Sequence, residues 1–335
     1  MNVPVSSPPV PHQNACFQLL SDYTESNNKR NNNPRLQTTQ PLAIMTDQEA
    51  QGSNDHTTTK LRVGTWNVHQ FSDSNAEGTF DDMVALLRVA DLDVIGLQEA
   101  TGALLVELVH QLNQTNTSAN HAQYQLACKF GGTALITRFP VVDASKPGKG
   151  RYCCCRVLLP GNNTNDNNDW SIINLHLDHR QETTRSKEIQ TILQSFAKHG
   201  RPLPDLWMGD FNALTAADYT AKEWKEIRNV RARNHWELPV SNLTCLLTKQ
   251  IGLTDAYHAV ATNNRSGPDS TCRFGTRIDY IYYRTDRLAC NDDLGWRVVS
   301  VTHMDCRRLS DHNLVVTTWK RQQLEPQDTT STQSS

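Results

Sequence analysis

The stretch Asp205-Leu-Trp-Met-Gly-Asp-Phe-Asn-Ala213 decides how the rest of this 335-residue chain is read. Leu206, Trp207 and Met208 form a short apolar run of the kind a buried strand carries, and Gly209 ends it. Asp210 and Asn212 then stand two positions apart, and in extended backbone such positions share a face. A carboxylate and a carboxamide would project together from a strand end, where layered α/β proteins keep their sites. Gly209 permits a turn and a close approach of backbone to ligand. The same residues also fit a strand followed by an Asx turn, because Asp and Asn bond readily to nearby backbone. What lies on either side has to separate the two readings.

Residues 1–60 are rich in Asn, Gln, Thr, Ser and Pro, and no apolar period runs through them. Such a segment buries too little surface to offset its ordering entropy, and a disordered tail is expected. Residues 321–335 have the same character. That leaves 61–320 as one domain, long enough for a large core. A net charge of -2 excludes binding of nucleic acid by bulk electrostatics, though not a local basic rim. No apolar run approaches a membrane span, and the N-terminus lacks signal-peptide and transit-peptide layouts. Nine cysteines, an odd number in mostly apolar strand-like settings, imply reduced thiols in an intracellular protein, cytoplasmic or nuclear. Cys153-Cys154-Cys155 has no paired His or Cys at zinc-ligand spacing and reads as core packing. A monomer is expected.

Around the central stretch, strands and helices alternate. Leu61–Trp66, Asp93–Leu97, Tyr124–Cys128, Thr133–Thr137, Cys153–Leu158 and Ser171–Leu175 read as strands. Asp81–Ala90, the segment through Leu104 to Leu112, and Glu182–Phe196 carry helical apolar faces, as do Ala216–Ile227 and Ser241–Leu247. Ile278–Tyr283, Arg297–Val301 and Leu314–Trp319 close the chain as strands. Many strands with helices between them and short connections indicate a layered α/β body.

Polar residues recur where these strands end: Asn67, Glu99, His176 with Asp178, Asp210 with Asn212, Asp279, and Asp311-His312. Oxygen donors with imidazoles, and no Cys–His spacing, suit a hard cation such as Mg²⁺ or Mn²⁺. Each piece alone has a plainer reading as a solvated carboxylate or a turn. Their recurrence in order at strand ends favours a shared site.

Thr65-Trp66-Asn67, Leu97-Gln98-Glu99, Asn174-Leu-His176-Leu-Asp178, Gly209-Asp210-Phe-Asn212, Arg277-Ile-Asp279 and Ser310-Asp311-His312 together resemble the ordered motifs of the endonuclease/exonuclease/phosphatase superfamily. The resemblance runs from about Leu61 to Trp319. It implies a four-layer α/β sandwich, two mixed β-sheets face to face with helices outside, and a site at one rim. Carried over by position, Glu99 becomes the main metal ligand, with Asn67 and Asp311 in the metal region. His312 paired with Asp279 becomes the base or the phosphate-polarising dyad. Asp210 orients or deprotonates water, Asn212 holds a phosphate oxygen, and His176 donates to the scissile phosphate.

Substrate class stays open among three readings. The first is a Mg²⁺-dependent phosphodiesterase on nucleic acid or nucleotide-like esters. The second is a phosphatase or phosphodiesterase on a phosphorylated metabolite or lipid headgroup. The third is an inactive binding member of the fold. His176-Leu-Asp178 followed by Arg185 on a helix resembles the tyrosyl-DNA phosphodiesterase type, in which Arg185, beside Asp178, would reach a second phosphate of the substrate. Arg151, Arg273 and Arg277 are similar candidates.

Overall fold

The computed structural model describes residues 60–72, 78–114, 122–145, 150–159, 169–260, 270–288 and 295–321. Apart from Lys60 and Arg321, which sit in strands, the two expected tails lie outside the described residues. In chain order the strands are β1 (Lys60–Asn67), β2 (Val94–Gln98), β3 (Gln125–Phe130), β4 (Thr133–Thr137), β5 (Val141–Ser145) and β6 (Tyr152–Leu158). They continue as β7 (Asp169–His176), β8 (Leu206–Asp210), β9 (Leu253–Asp255), β10 (Asp279–Arg284), β11 (Trp296–Met304) and β12 (Leu314–Arg321). The longer helices are α1 (Phe80–Ala90), α2 (Ala103–Gln114), α3 (Glu182–Lys198) and α4 (Ala221–Arg233), with the short α5 (Asn242–Cys245) and α6 (Ala256–Val260) behind them.

The strands form two mixed six-stranded sheets, ordered β11-β12-β1-β2-β4-β3 and β5-β6-β7-β8-β10-β9. Each sheet contains one parallel pair, β1 with β2 and β7 with β8; the other pairings are antiparallel. Side chains alternate across each strand, so a strand covered on both faces reads as one apolar run. Val63, Val94 and Leu135 of one sheet meet Cys153, Cys155, Ile172, Leu206 and Met208 of the other in the central layer. The alternate residues point outward. Ile95, Leu97 and Ile136 pack under Met83, Leu87, Leu105 and Leu108 of α1 and α2. Ile173, Leu175 and Trp207 pack under Ile189, Ile192 and Phe196 of α3. This is the four-layer α/β sandwich expected from the sequence, and each fully buried Leu or Ile contributes about 2 kcal/mol. The seven described cysteines are thiols outside any disulfide, and Cys153, Cys154 and Cys155 are buried in strand packing.

Buried amides also cross the sandwich. Gln98 Nε2 donates to Asn174 Oδ1 at 2.6 Å, and Asn174 Nδ2 donates to the carbonyls of Leu97 and Ala134 at 2.8 and 2.9 Å. The sheets approach closely there: a Cβ on Gly96 would come within 2.5 Å of Met208 Sδ and 3.0 Å of Asn174 Oδ1.

The single helix expected over Ala216–Ile227 is two elements. A 3-10 turn at Ala216–Asp218 gives way at Thr220, whose side chain accepts from Glu223 N in a capping box that starts α4. Strands β5 and β9 escape the sequence pattern because each holds few apolar positions. No helix among the described residues is long and apolar enough to cross a membrane.

Candidate active site

The two parallel pairs bring four strand ends to one rim. Along β1 and β2, Asn67 lies opposite Gln98, so Glu99 follows at the edge. Along β7 and β8, His176 lies opposite Asp210. Antiparallel β10 starts on Asp279, which also pairs with Asp210, and Cys272 bridges to His312 just before β12. Ser310 Oγ donates to the Asn67 carbonyl at 2.8 Å and Trp66 Nε1 to the His312 carbonyl at 3.0 Å, tying that loop to the end of β1.

Asp210 is the hub. Its Oδ1 accepts from Asn212 N at 2.9 Å, an Asx turn. Its Oδ2 lies 3.2 Å from Asn67 Nδ2, 3.7 Å from His176 Nε2 and 3.9 Å from His312 Nε2. One carboxylate oxygen therefore makes the Asx turn, while the other faces Asn67, His176 and His312. Glu99 Oε1 accepts from the same Asn67 amide at 3.1 Å and lies 4.0 Å from His176 Nε2. His312 Nδ1 faces both oxygens of Asp279, at 2.9 and 3.2 Å. Asn212 Nδ2 donates to the Leu177 carbonyl at 3.1 Å. Asp311 Oδ1 is 2.9 Å from His69 Nδ1, and its Oδ2 is 3.8 Å from Arg273 Nε.

The backbone is strained where these groups converge. Glu99 and Asn212 hold φ of 53° and 49°, in the left-handed region that side chains other than Asn and Gly disfavour. At Gly209, with φ 139°, a Cβ would lie 1.9 Å from the Leu175 carbonyl oxygen, so only glycine fits between β7 and β8.

The two imidazoles are pushed in opposite directions. Burial disfavours the charged form of His312, but Asp279 and then Asp210 outweigh it and hold the ring well above the ordinary histidine value. Burial dominates at His176, aided by Arg151, and lowers it despite Asp210 and Glu99. Burial, with the charge of Asp210, holds Asp279 above the usual carboxylate range although His312 pulls it down. The two rings on either side of the same carboxylate are thus biased toward opposite protonation states.

Asp210, Asp279 and His312 offer ligand atoms within 4.8 Å of one another. Both Asp279 oxygens are already turned to His312 Nδ1, which makes this trio a hydrogen-bonded relay rather than an ion cradle. The better fit for a hard cation lies toward Glu99. Glu99 and Asp210 flank a single Asn67 amide, at 3.1 and 3.2 Å, and the imidazole within 4.0 Å of both, His176, is biased to neutral, so carboxylate charge on the Glu99 side is left with little compensation.

Eight of the ten residues that the sequence motifs gave a role meet at this rim: Asn67, Glu99, His176, Asp210, Asn212, Asp279, Asp311 and His312. Two are placed otherwise. Arg185 is 4% exposed and its guanidinium is consumed by Glu182 Oε2 at 2.9 Å, Glu237 Oε2 at 2.6 Å and the Asp178 carbonyl at 2.9 Å. It braces α3 instead of reaching a phosphate. Asp178 Oδ1 accepts from the backbone of Arg180 and Gln181, closing the turn into α3. Arg277 is likewise enclosed, between Asp218 and Asp255. The cleft above the rim, about 1630 Å³, is lined also by Arg151, His179, Arg180, Trp236 and Phe274. Of these the sequence reading singled out only Arg151, because the others lie in loops without period.

Two facing six-stranded sheets thus meet at a rim of carboxylates and imidazoles. The model of the Endonuclease/Exonuclease/phosphatase family matches residues 64–312, and the chain belongs to that family. Among curated proteins, none matches the sequence. Solved structures share the fold. An endonuclease/exonuclease/phosphatase from Beutenbergia cavernae has 19% identity and a TM-score of 0.52, over 78% of this chain and 71% of that one. One from Bacteroides vulgatus has 17% identity and a TM-score of 0.51, over 78% and 98%. The human Nocturnin catalytic domain with bound sulfate has 16% identity and a TM-score of 0.50, over 78% and 95%.

Proposed function

We propose that this chain is a Mg²⁺-dependent phosphodiesterase, Mn²⁺ serving in place of Mg²⁺, that acts on nucleic acid or nucleotide-like esters. Residues 61–320 form the catalytic unit of a monomeric, intracellular enzyme. The observation that carries this reading is the convergence on Asp210 Oδ2 of Asn67, His176 and His312, at 3.2, 3.7 and 3.9 Å. Glu99, with Asn67 and Asp311, would hold the cation, which would supply charge neutralisation at the phosphate oxygens. Asp210 orients water and accepts its proton, the role left to a carboxylate whose neighbouring His312 is already charged. His312, kept cationic by Asp279, donates from Nε2 to a phosphate oxygen. His176 supplies a neutral donor, and Asn212 uses its second Nδ2 hydrogen on another phosphate oxygen. Together these groups fix the in-line approach of water to phosphorus.

The test is hydrolysis of bis-p-nitrophenyl phosphate and of oligonucleotides, with Mg²⁺ and with EDTA, by wild type and by Asp210→Asn. Turnover that is lost in EDTA and lost in the variant is expected. Turnover that survives both would overturn the reading.

A further inference from the structure

We propose that Trp236 and Phe274 form a stacking platform for an unpaired nucleobase beside the scissile phosphate; this rests on the phosphodiesterase reading and names its substrate class. The two rings come from separate segments, the loop after α4 and the turn before β10. They meet with centroids 5.3 Å apart and planes at 75°, yet remain 41% and 58% exposed on the cleft wall. The other exposed large apolar side chains among the described residues are all valines and leucines, so these two rings are the exposed aromatics there, and they are in contact. Paired aromatics left open in a cleft mark a binding surface more than scattered ones do.

Three further observations fix the ligand. First, each ring carries a guanidinium: Arg231 lies 5.8 Å from the Trp236 centroid and Arg273 lies 5.2 Å from that of Phe274. Cations interleaved with aromatics suit bases joined to phosphates, where the ring takes the π-face and the charge takes the backbone. A lipid tail would use the rings and leave the charges idle.

Second, the platform is fastened to the catalytic rim. Arg273 N donates to the Asp311 carbonyl at 2.8 Å, and Cys272, two residues before Phe274, bridges to His312. Phe274 therefore lies within about 7 Å of that bridge along the chain.

Third, the Trp236 loop is held rigid. The carboxylate of Glu237 accepts from Arg185 Nη2 at 2.6 Å and from Glu182 N at 2.7 Å, while its carbonyl accepts from Arg231 Nε at 2.5 Å. His235, at φ 55°, turns the chain immediately before the ring. A largely buried ion-pair network thus holds an exposed tryptophan in place, which lowers the ordering cost of any ligand that stacks on it. Arg185 acts on the substrate only through this pin. The base must be unpaired, since a base within a duplex has both faces covered, and the chain's net charge of -2 gives no support to a long duplex track.

The experiment uses the full chain in EDTA with a single-stranded oligonucleotide carrying 2-aminopurine, whose emission is quenched on stacking. Saturable quenching is expected in wild type. Trp236→Ala and Phe274→Ala should each raise Kd about tenfold. Trp236→Phe should restore most of the binding, and a strand with an abasic residue at the same position should bind like the alanine variants. Equal Kd in wild type and both alanine variants, or equal binding of the abasic strand, overturns the platform. Retained quenching in a protein that fails to hydrolyse bis-p-nitrophenyl phosphate with Mg²⁺ supports the platform and sinks the hydrolase reading instead.

Discussion

Two buried charge clusters lie two residues apart in the chain, one centred on Arg277 and the other on Asp279. Arg277 is 1% exposed, and its guanidinium is bidentate to Asp218, at 2.9 and 3.0 Å, and to Asp255, at 3.1 and 2.5 Å. Tyr257 and Tyr280 lie within 5.1 and 4.2 Å of it, and His258 Nε2 closes the outer side at 2.9 Å from Asp218. Four of the five guanidinium N–H donors are bonded to these two carboxylates. At the Asp279 cluster the one tight pair, with His312, is followed by separations of 3.7 to 4.0 Å among His176, His312, Asp210 and Glu99. Those gaps are too long for hydrogen bonds and open onto a cleft. The first cluster has spent its electrostatics on itself. The second keeps donors and acceptors aimed at a common space, so the same residue types serve structure in one place and chemistry in the other.

The contrast breaks most sharply if substitutions in the two clusters behave alike. At the open cluster, Asp210→Asn keeps the shape of a side chain that is 1% exposed while removing the acceptor charge. Phosphodiester turnover should fall about 10³-fold, the scale of a lost general base, with the melting temperature moved by only a few degrees. Steady-state rates and thermal melts on one preparation decide this, and unfolding in place of inactivity would put Asp210 with Arg277. At the closed cluster the reverse holds. Arg277→Met leaves two buried carboxylates facing each other and should cost about 3–5 kcal/mol, read by urea unfolding. A variant as stable as wild type would mean that the cluster is not closed.

A third arrangement lies between these extremes. Asn174, between the sheets, offers its amide to two carbonyls and its oxygen to Gln98, whose own Oε1 has no partner among the described residues. Asn174→Ala should cost about 2 kcal/mol in urea unfolding, since it orphans buried groups without stranding a charge. A loss as large as that of Arg277→Met would show that the amide bridge, not the ion cluster, fixes how the sheets meet.

Strand ends were legible because both-face burial turns the strands into apolar runs and the polar residue after each run stands out. That is how Asn67, Glu99, His176 and Asp210 could be named before their distances were known. Even the ambiguity at Asp210 was real, since Oδ1 makes the turn while Oδ2 faces the cleft. Arg185 was misread because its partner Glu237 lies 52 residues downstream in a loop, where no periodicity marks it. Trp236 and Phe274 are invisible for the same reason: each sits in irregular chain, and only the fold makes them neighbours. The break before α4 was available in the sequence as Thr220-Ala-Lys-Glu223, a capping box outweighed by the apolar spacing around it.

The smallest expected effect sharpens the comparison from the edge of the closed cluster. Two carboxylates face one guanidinium there, and His258 supplies the balancing charge. Its hydrogen bond to Asp218 lifts it above the ordinary 6.5, against the opposing pull of burial. A raised histidine stabilises the fold fully below pH 6.5, and that contribution is lost as pH rises through the folded value. Asp218 runs the other way: burial raises it, but Arg277 and His258 prevail and hold it below 3.8, so its share is present above that value and is lost in acid. Both shares coexist between about pH 4 and 6.5, and wild type should exceed His258→Gln in stability most clearly near pH 5.5, the gap narrowing toward pH 9. Because the His258 side chain is 41% exposed, solvent screening keeps the gap small, and raised salt should shrink it further. Urea midpoints at the two pH values measure it. A gap that widens with pH would mean His258 is neutral in the fold, leaving Arg277 to hold both carboxylates alone.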